Sequence, residues 1–153
     1  MTFSDNINGI YLEINDEIID SISKICLESY PNESGGFLIG RYSDDRRKAL
    51  VSGIIIPSSF RSGPISYERN TEGMEPIWDS LYNEGLIYLG EWHSHPNGSS
   101  SYSMTDRKAL TNIAESETVN ISNPIMLIVG FNKSRIIEIK AYYYKDFDII
   151  EYE

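Results

Sequence analysis

The sequence predicts an α/β fold, a mixed β-sheet flanked by helices, that forms a single domain over residues 1–153. Apolar residues recur at helical spacing at Ile18, Ile22 and Cys26, whereas 125–131 is a short continuous apolar run typical of a buried strand. Segments of these two kinds alternate along the chain. A chain of this length buries roughly two thirds of its unfolded surface, which is enough for a core of its own.

The expected strands share β-branched or apolar residues between turn-forming residues: 10–14, 37–40, 49–56, 86–92, 125–131 and 135–144. The expected helices share an apolar face: 16–30, 71–82 and 103–114. Asn15 or Asp16 caps the first helix, and Pro31 lies just beyond its end. Pro31 also begins a loop in which Gly35 and Gly36 allow backbone conformations that other residues avoid.

The middle of the chain is more polar. Residues 58–72 contain one possible short strand, at 65–67. Pro76 lies in the first turn of the second helix, where proline is tolerated, and Gly85 ends that helix. The residues expected on the apolar side of this helix are Ile77, Trp78 and Leu81.

The last third begins with a helix that Ser103 or Thr105 starts. The residues expected to face inward from it are Ala109, Leu110 and Ile113. A hairpin turn at 132–134 leads into the last long strand. The residues expected on one face of that strand are Ile137, Ile139 and Ala141. The tail to Glu153 is expected to pair as an edge strand.

The net charge of −10 argues against nucleic-acid binding, which needs clustered Lys and Arg. The mixed-sign run 44–48 is interpreted as a solvated turn. No apolar run approaches the roughly 20 residues of a membrane helix, and the first residues lack the basic and apolar parts of a secretion signal. The protein is therefore expected to be cytoplasmic, with no membrane partner.

Cys26 is the only cysteine. An internal disulfide and a structural zinc site built from several cysteines are therefore excluded. The residue lies on the apolar stripe of the first expected helix, so we expect it to be buried in the core rather than to act as a nucleophile.

The two histidines of the chain, His93 and His95, lie one residue apart after an expected strand, and Asp106 follows at a helix start. Residues i and i+2 of a strand point to one face about 7 Å apart, so the two imidazoles can converge on one ion. Three protein ligands plus water is the arrangement of catalytic zinc. Two other interpretations stay open: an accidental surface pair of histidines, and a helix capping box formed by Ser103 and Asp106.

The sequence His93-Ser94-His95-Pro96, followed by Ser103-Met104-Thr105-Asp106, resembles the signature of the JAMM (MPN-plus) zinc metalloproteases, H-[ST]-H-P-x(6)-S-x-x-D. The upstream segment 33–40, ESGGFLIG, is similar to the E-x-G-G-x-L-x-G setting of that family's glutamate. The resemblance spans residues 16–131 in element order. It implies the JAMM/MPN fold, whose mixed sheet is like that of the cytidine deaminases.

On this resemblance, His93, His95 and Asp106 hold one zinc ion (Zn2+) per chain. Glu33 is the implied general base, which takes a proton from water and passes it to the leaving amine. Ser103 donates to the tetrahedral oxyanion as well as starting a helix. Ser94 is expected to support the loop rather than to take part in the chemistry. The implied reaction cleaves the amide bond at the C-terminus of a ubiquitin-like or otherwise conjugated protein.

The resemblance to stand-alone prokaryotic members implies a protein substrate. One setting is deconjugation in bacterial ubiquitin-like or antiphage operons, and another is trimming of sulfur-carrier proteins. The segment 58–71 falls where family members place a substrate-contacting insertion. It is interpreted either as an edge that pairs with the extended C-terminal tail of the substrate by β-augmentation, or as an ordinary surface loop.

Related families supply the alternatives. Non-catalytic MPN scaffolds typically lack one or more ligands, whereas this chain has the complete set. The RadC-like DNA-repair family has asparagine where this chain has Ser94, and the acidic composition argues against it. Zinc nucleoside deaminases use H-x-E and P-C-x-x-C patterns, and both are missing here. The identity of the substrate, the type of amide bond and the oligomeric state stay open.

Overall fold

The computed structural model describes residues 1–121 and 123–153. In that part of the chain the backbone forms ten strands and three helices. The helices are α1 (Asp16–Ser29), α2 (Glu75–Asn83) and α3 (Met104–Ala114). The strands, in chain order, are β1 (Thr2–Asp5), β2 (Ile10–Ile14), β3 (Gly35–Tyr42), β4 (Lys48–Ile55), β5 (Ser59–Gly63), β6 (Ser66–Asn70), β7 (Ile87–Pro96), β8 (Ile125–Phe131), β9 (Ile136–Lys145) and β10 (Asp148–Glu151).

Eight strands form one mixed sheet in the order β1-β2-β4-β3-β7-β8-β9-β10. The pairs β2–β4 and β7–β8 are parallel, and the other neighbours are antiparallel. β5 and β6 form a separate antiparallel hairpin, where the sequence predicted one short strand at 65–67. The predicted α/β class, a mixed sheet flanked by helices, is confirmed.

α1 covers one face of the sheet. Its apolar stripe, which includes Ile18, Ile22 and Cys26, packs into the same buried cluster as Leu127 and Val129 of β8. Full burial of each aliphatic side chain contributes about 1.5–3 kcal/mol, so this layer fixes α1 against the sheet. The predicted burial of Cys26 is confirmed, and burial raises the pKa of its thiol to about 11.

α3 covers the opposite face of the sheet. The side chains of β8 alternate between the two faces, so β8 contacts both helices. Met126 and Ile128 pack with Leu110 of α3, whereas Leu127 points toward α1. The predicted inward face of α3 is confirmed at Leu110, which is 2% exposed. This layer matters for function, because it holds the start of α3 above the end of β7.

α2 lies less deeply, and none of its side chains is fully buried. The ring of Trp78 meets Phe37 edge-on with the ring centroids 5.3 Å apart, and it meets Tyr88 at 5.9 Å. Leu81 is half-buried, but Ile77, which was expected on the same apolar side, is 42% exposed. That side of the helix is therefore only partly covered.

The inward face of β9 differs from the predicted one. A β-bulge beside Gly130 adds one residue to β9 and shifts its alternation by one position. Ile136 therefore packs against the core, whereas Ile137, which was expected there, is 54% exposed. Ile139 and Ala141 face inward as predicted, because they lie beyond the bulge.

Both edges of the large sheet involve the chain ends. β10 pairs with β9, as predicted for the tail, and β1, which was not predicted, pairs with β2. The backbone of Ser4 exchanges two hydrogen bonds with that of Glu153, with N–O distances of 3.0 and 2.7 Å. The two edges therefore meet at these residues. Among the described helices, none combines the length and the hydrophobicity needed to cross a bilayer.

Candidate active site

β7 places both histidines on one face of the sheet. The strand continues to Pro96, past its predicted end at Trp92, so His93 and His95 are strand residues. Trp92 belongs to the buried cluster beneath α1. Because side chains alternate along a strand, His93 and His95 point to the opposite face, toward α3. The register between β3 and β7 shifts just before Gly90, and this shift determines which side chains of β7 face α3. A side chain at Gly90 would not fit, because its Cβ would come within 2.0 Å of a backbone oxygen of β8.

Asp106, in the first turn of α3, lies directly over the two rings. Its Oδ1 is 3.1 Å from His93 Nε2, and its Oδ2 is 3.6 Å from His95 Nε2. The two Nε2 atoms are 3.2 Å apart. One possible ligand atom from each residue lies within 4.8 Å of the others. The three predicted metal ligands thus come together in space.

His95 is oriented by a backbone carbonyl. Its Nδ1 lies 2.8 Å from the carbonyl oxygen of Ser99. Because a carbonyl only accepts hydrogen bonds, Nδ1 carries a proton, and Nε2 is the ring nitrogen that faces Asp106. No sequence signal marks the role of Ser99, since any residue can supply a backbone carbonyl.

Asp106 also forms a capping box with Ser103. Asp106 Oδ2 accepts from the Ser103 amide at 2.6 Å, and the Asp106 amide donates to Ser103 Oγ at 3.1 Å. The capping interpretation is therefore confirmed. It leaves Oδ1 facing His93, so the cap and a ligand role are compatible, and the rigid helix start fixes the carboxylate.

The electrostatics of the cluster favour the protonation states that ligands require at His93 and Asp106, but not at His95. Burial lowers the pKa of His93, and a hydrogen bond with Asp106 raises the pKa of His95. Burial acts to raise the pKa of Asp106, but hydrogen bonds from both histidines hold it well below its usual range. At neutral pH the carboxylate is ionised and His93 is neutral.

Glu33 lies at the same cleft as the cluster, in the loop between α1 and β3. Burial raises the pKa of its carboxyl, an effect that His95 opposes and Asp106 reinforces. The Glu33 amide donates to the carbonyl of Gly63 at 2.8 Å, which ties this loop to the β5–β6 hairpin. A carboxyl with a raised pKa at such a position is suited to accepting and releasing a proton.

The residue after Glu33 is bound to the strand that carries the histidines. Ser34 and Ser94 are both buried and are hydrogen bonded to each other. The next residue, Gly35, is the register partner of His93. The expected supporting role of Ser94 agrees with these contacts, because its hydroxyl faces away from the cleft.

The cleft has a volume of about 810 Å³ and lies between the β5–β6 hairpin and α3. The hydroxyl of Tyr67 donates to the carbonyl of Gly35 at 2.8 Å. Arg69 forms an ion pair with Glu91, and the two side chains are only 20% and 13% exposed. The guanidinium of Arg69 also lies 5.5 Å from the ring centroid of Phe37. Sequence reasoning missed this pair, because the two residues are distant in sequence and belong to no motif.

The donor set fits a zinc ion. Two imidazole nitrogens and a carboxylate oxygen are ligands that zinc accepts readily, and three protein ligands leave a position for water or substrate. The His95 tautomer presents Nε2 to the cluster, and the ionised Asp106 supplies negative charge. A cation held by these residues would share the cleft with a carboxylate, that of Glu33, and a hydroxyl, that of Ser103.

The sequence matches that of known proteins over most of its length. A family model described as prokaryotic homologs of the JAB domain matches residues 15–140, a range that contains every candidate site residue. The chain is 34% identical over 131 residues to the CD-NTase/cGAS isopeptidase of Enterobacter hormaechei, and the match covers 85% of this chain and 73% of that protein.

The fold matches solved structures as well. A protein from Desulfitobacterium hafniense superimposes with a TM-score of 0.69 and 17% identity, covering 92% of this chain and 88% of that one. A JAB1/MPN domain protein from Archaeoglobus fulgidus superimposes with a TM-score of 0.54 and 16% identity, covering 92% and 94%. At these identities the likeness shows a shared fold.

Proposed function

The chain belongs to the family of prokaryotic JAB-domain proteins, and on this basis we propose that it is a zinc-dependent isopeptidase. Its substrate would be a protein conjugated through the C-terminus of a ubiquitin-like or similar tail. Residues 1–153 would act as one metalloprotease domain. The isopeptidase name of the relative from Enterobacter hormaechei supports a deconjugating activity, so a conjugate of a CD-NTase is the first substrate to test.

One observation carries the proposal. The candidate ligand atoms of His93, His95 and Asp106 lie within 4.8 Å of one another, and Glu33 and Ser103 line the same cleft. These five residues come from three separate parts of the chain: the loop before β3, the end of β7 and the start of α3. A structural role alone does not require all of them to face one solvent-accessible cleft.

His93, His95 and Asp106 would hold zinc. When bound there, zinc would lower the pKa of water to roughly 7 and polarise the scissile carbonyl. The protein's own contribution is the fixed donor set: the Ser99 carbonyl sets the tautomer of His95, and the cap with Ser103 fixes the carboxylate of Asp106.

Glu33 would move the proton. Its carboxylate accepts a proton from the attacking water and delivers it to the nitrogen of the leaving amine, so the lysine or peptide leaves neutral. The raised pKa of Glu33 supports this role, because a stronger base holds the proton until the C–N bond breaks. Its backbone bond to Gly63 and the neighbouring bond between Ser34 and Ser94 fix the position of the carboxylate.

Ser103 would stabilise the developing oxyanion. Its Oγ accepts from the Asp106 amide, which leaves the hydroxyl proton free to point into the cleft. Hydrogen-bond donors of this kind contribute about 10²–10³ in rate. The N-cap geometry holds the oxygen in place in the absence of substrate.

The β5–β6 hairpin would bind the tail of the substrate. β6 lines the cleft along 66–69, and its backbone lies beside the candidate metal ligands. An extended tail that pairs with this edge by β-augmentation would run toward His93 and place its last carbonyl there. The Arg69–Glu91 pair and the bond from Tyr67 to Gly35 support this mode, because they keep the hairpin in position.

The decisive experiment combines metal analysis with a matched variant. We expect about one zinc per chain after purification without chelators, and cleavage of a ubiquitin-like protein or CD-NTase joined to a lysine side chain. Glu33→Gln should keep the zinc and its stabilising effect on thermal unfolding, but lose at least about 10²-fold in kcat, because amide cannot act as a base.

The other outcomes identify other functions. Full activity in Glu33→Gln would contradict the mechanism. Absence of zinc would indicate a non-catalytic scaffold. Cleavage of linear C-terminal fusions alone would indicate a processing peptidase of the sulfur-carrier type, and nucleic-acid binding without cleavage would indicate a RadC-like protein.

A further inference from the structure

The loop between β7 and α3 is held by the strands beneath it. Residues 97–103 have no regular secondary structure, yet this loop supplies the Ser99 carbonyl that orients His95. The position of that carbonyl therefore depends on contacts that the loop makes elsewhere.

The first contact is a close approach over Gly130 of β8. A Cβ at this position would lie 2.9 Å from the Gly98 oxygen, 3.1 Å from the Ser100 nitrogen and 3.2 Å from the Ser99 carbonyl carbon. All three atoms belong to the backbone, so they have little freedom to move aside. Gly130 is thus the surface on which the loop backbone rests.

The second contact comes from the next strand. Gly130 pairs with His95 on one side and with Glu138 of β9 on the other. The Oε2 of Glu138 accepts a hydrogen bond from Ser100 Oγ, so the Glu138 side chain reaches the loop. The Ser100 side chain is fully buried in this contact.

A third contact fixes the other side of the same residue. The hydroxyl of Tyr142 donates to the Ser100 carbonyl at 3.0 Å, and Tyr142 itself is 2% exposed. Ser100 is therefore held through both its side chain and its carbonyl. Because Ser99 precedes it directly, the direction of the Ser99 carbonyl is fixed as well.

We propose that Glu138 is a positioning residue for His95, acting through Ser100 and the Ser99 carbonyl that receives His95 Nδ1–H. The inference rests on the proposed function in so far as His95 is a metal ligand. Glu138 lies outside the cleft-lining residues and outside every motif found in the sequence. Its role is to keep Nδ1 protonated, so that the Nε2 lone pair faces the metal position.

The test reads the tautomer of His95 directly in metal-free protein. The chain has two histidines, so a protein labelled with ¹⁵N in histidine gives two resolvable rings. Spectra would be recorded at about pH 9, well above the ordinary histidine pKa of about 6.5. We expect His95 to carry its proton on Nδ1 in the natural sequence, and Glu138→Ala to convert a measurable fraction to the Nε2–H form.

Zinc affinity gives the second readout, by competition with a chelator. We expect Glu138→Ala to raise the Kd for zinc about tenfold, the lower end of the range for outer-sphere partners of metal ligands. Glu138→Gln keeps an acceptor oxygen for Ser100 and should restore both readouts. Glu84→Ala removes an exposed carboxylate after α2 and serves as the matched control.

Ser100→Ala removes the donor of the same hydrogen bond and should have the same effects as Glu138→Ala. If the two residues act through one hydrogen bond, the double variant should be no worse than either single variant. If both single variants keep the His95 tautomer and the zinc Kd of the natural sequence, the positioning role of Glu138 is wrong. That result would not affect the proposal that the protein is an isopeptidase. Conversely, a protein without activity would still report the tautomer, so the two proposals fail separately.

Discussion

Ser34 and Ser94 are joined by three hydrogen bonds. The Ser34 amide donates to Ser94 Oγ at 2.9 Å, the Ser94 amide donates to the Ser34 carbonyl at 2.8 Å, and the two hydroxyl oxygens are 3.0 Å apart. Ser34 follows Glu33, and Ser94 separates the two histidines. One buried pair thus sets the distance between the proposed base and the proposed metal ligands.

Ser94→Ala tests this connection. We expect the free energy of unfolding to fall by about 1–3 kcal/mol, because the buried Ser34 amide loses its acceptor. We expect kcat to fall about tenfold, since a shift of Glu33 by a fraction of an ångström weakens proton transfer. Zinc content should not change. Ser21→Ala, which removes an exposed hydroxyl from α1, is the control, and an unaltered kcat in Ser94→Ala would contradict the connection.

Ser103 has an observed role as a helix cap and a proposed role in stabilising the oxyanion, and substitution can separate the two. Glycine is a good N-cap and costs only a few tenths of a kcal/mol there, but it has no hydroxyl. Ser103→Gly should therefore keep its melting temperature to within a few degrees and lose about 10²-fold in kcat. Ser103→Thr should keep both. If Ser103→Gly cleaves substrate at the normal rate, the hydroxyl does not stabilise the oxyanion.

Arg69 fixes the hairpin to β7. Arg69→Ala leaves Glu91 partly buried without its partner, and we expect unfolding free energy to fall by about 2–4 kcal/mol. Amide exchange at 59–70 should become faster and KM for substrate should rise, with kcat less affected. The double variant Arg69→Met with Glu91→Gln removes the unpaired charge and should recover stability but not KM. Equal exchange rates in Arg69→Ala and the natural sequence would exclude this anchoring role.

Asp5 makes the fold sensitive to acid. Hydrogen bonds from the side chain of Asn8, from the Tyr143 hydroxyl at 2.7 Å and from the Asn8 amide lower its pKa to about 2. A carboxyl whose pKa is depressed by folding contributes stability above its ordinary pKa of about 4, and that stability is lost as pH falls toward 2.

Asp5→Asn should therefore be less stable than the natural sequence at pH 7 by about 1–2 kcal/mol. The difference should shrink as pH falls from about 4 to 2, as measured by urea unfolding at each pH. A difference that is constant with pH would show that the Asp5 charge does not contribute.

The sequence predicted the elements whose pattern is local. The apolar stripe of α1 and the continuous apolar run of β8 can be recognised from the sequence, because each side chain that faces the core is apolar. β1 was missed, since its stability comes from pairing with β2 and with Glu153 rather than from its own polar residues. The inward face of β9 was misassigned at Ile137, because a bulge has no apolar signature of its own.

The candidate site was predictable for a similar reason. Its side chains lie in two short motifs, whereas the residues that orient them act through backbone atoms or lie far away in sequence. The Ser99 carbonyl and the Glu138 carboxylate belong to the second kind. Only the folded arrangement of β7, β8 and β9 reveals them.

The meeting of Ser4 and Glu153 bears on which backbone groups at the sheet edges can pair with another molecule. Exposed sheet edges recruit the strands of other molecules, which is one origin of aggregation. Here the two edges of the eight-stranded sheet are joined by the backbone hydrogen bonds between these residues. The β5–β6 hairpin forms a separate two-stranded sheet. The backbone groups of Ser4 and Glu153 that bond to each other are therefore not available to pair with a second copy of the protein.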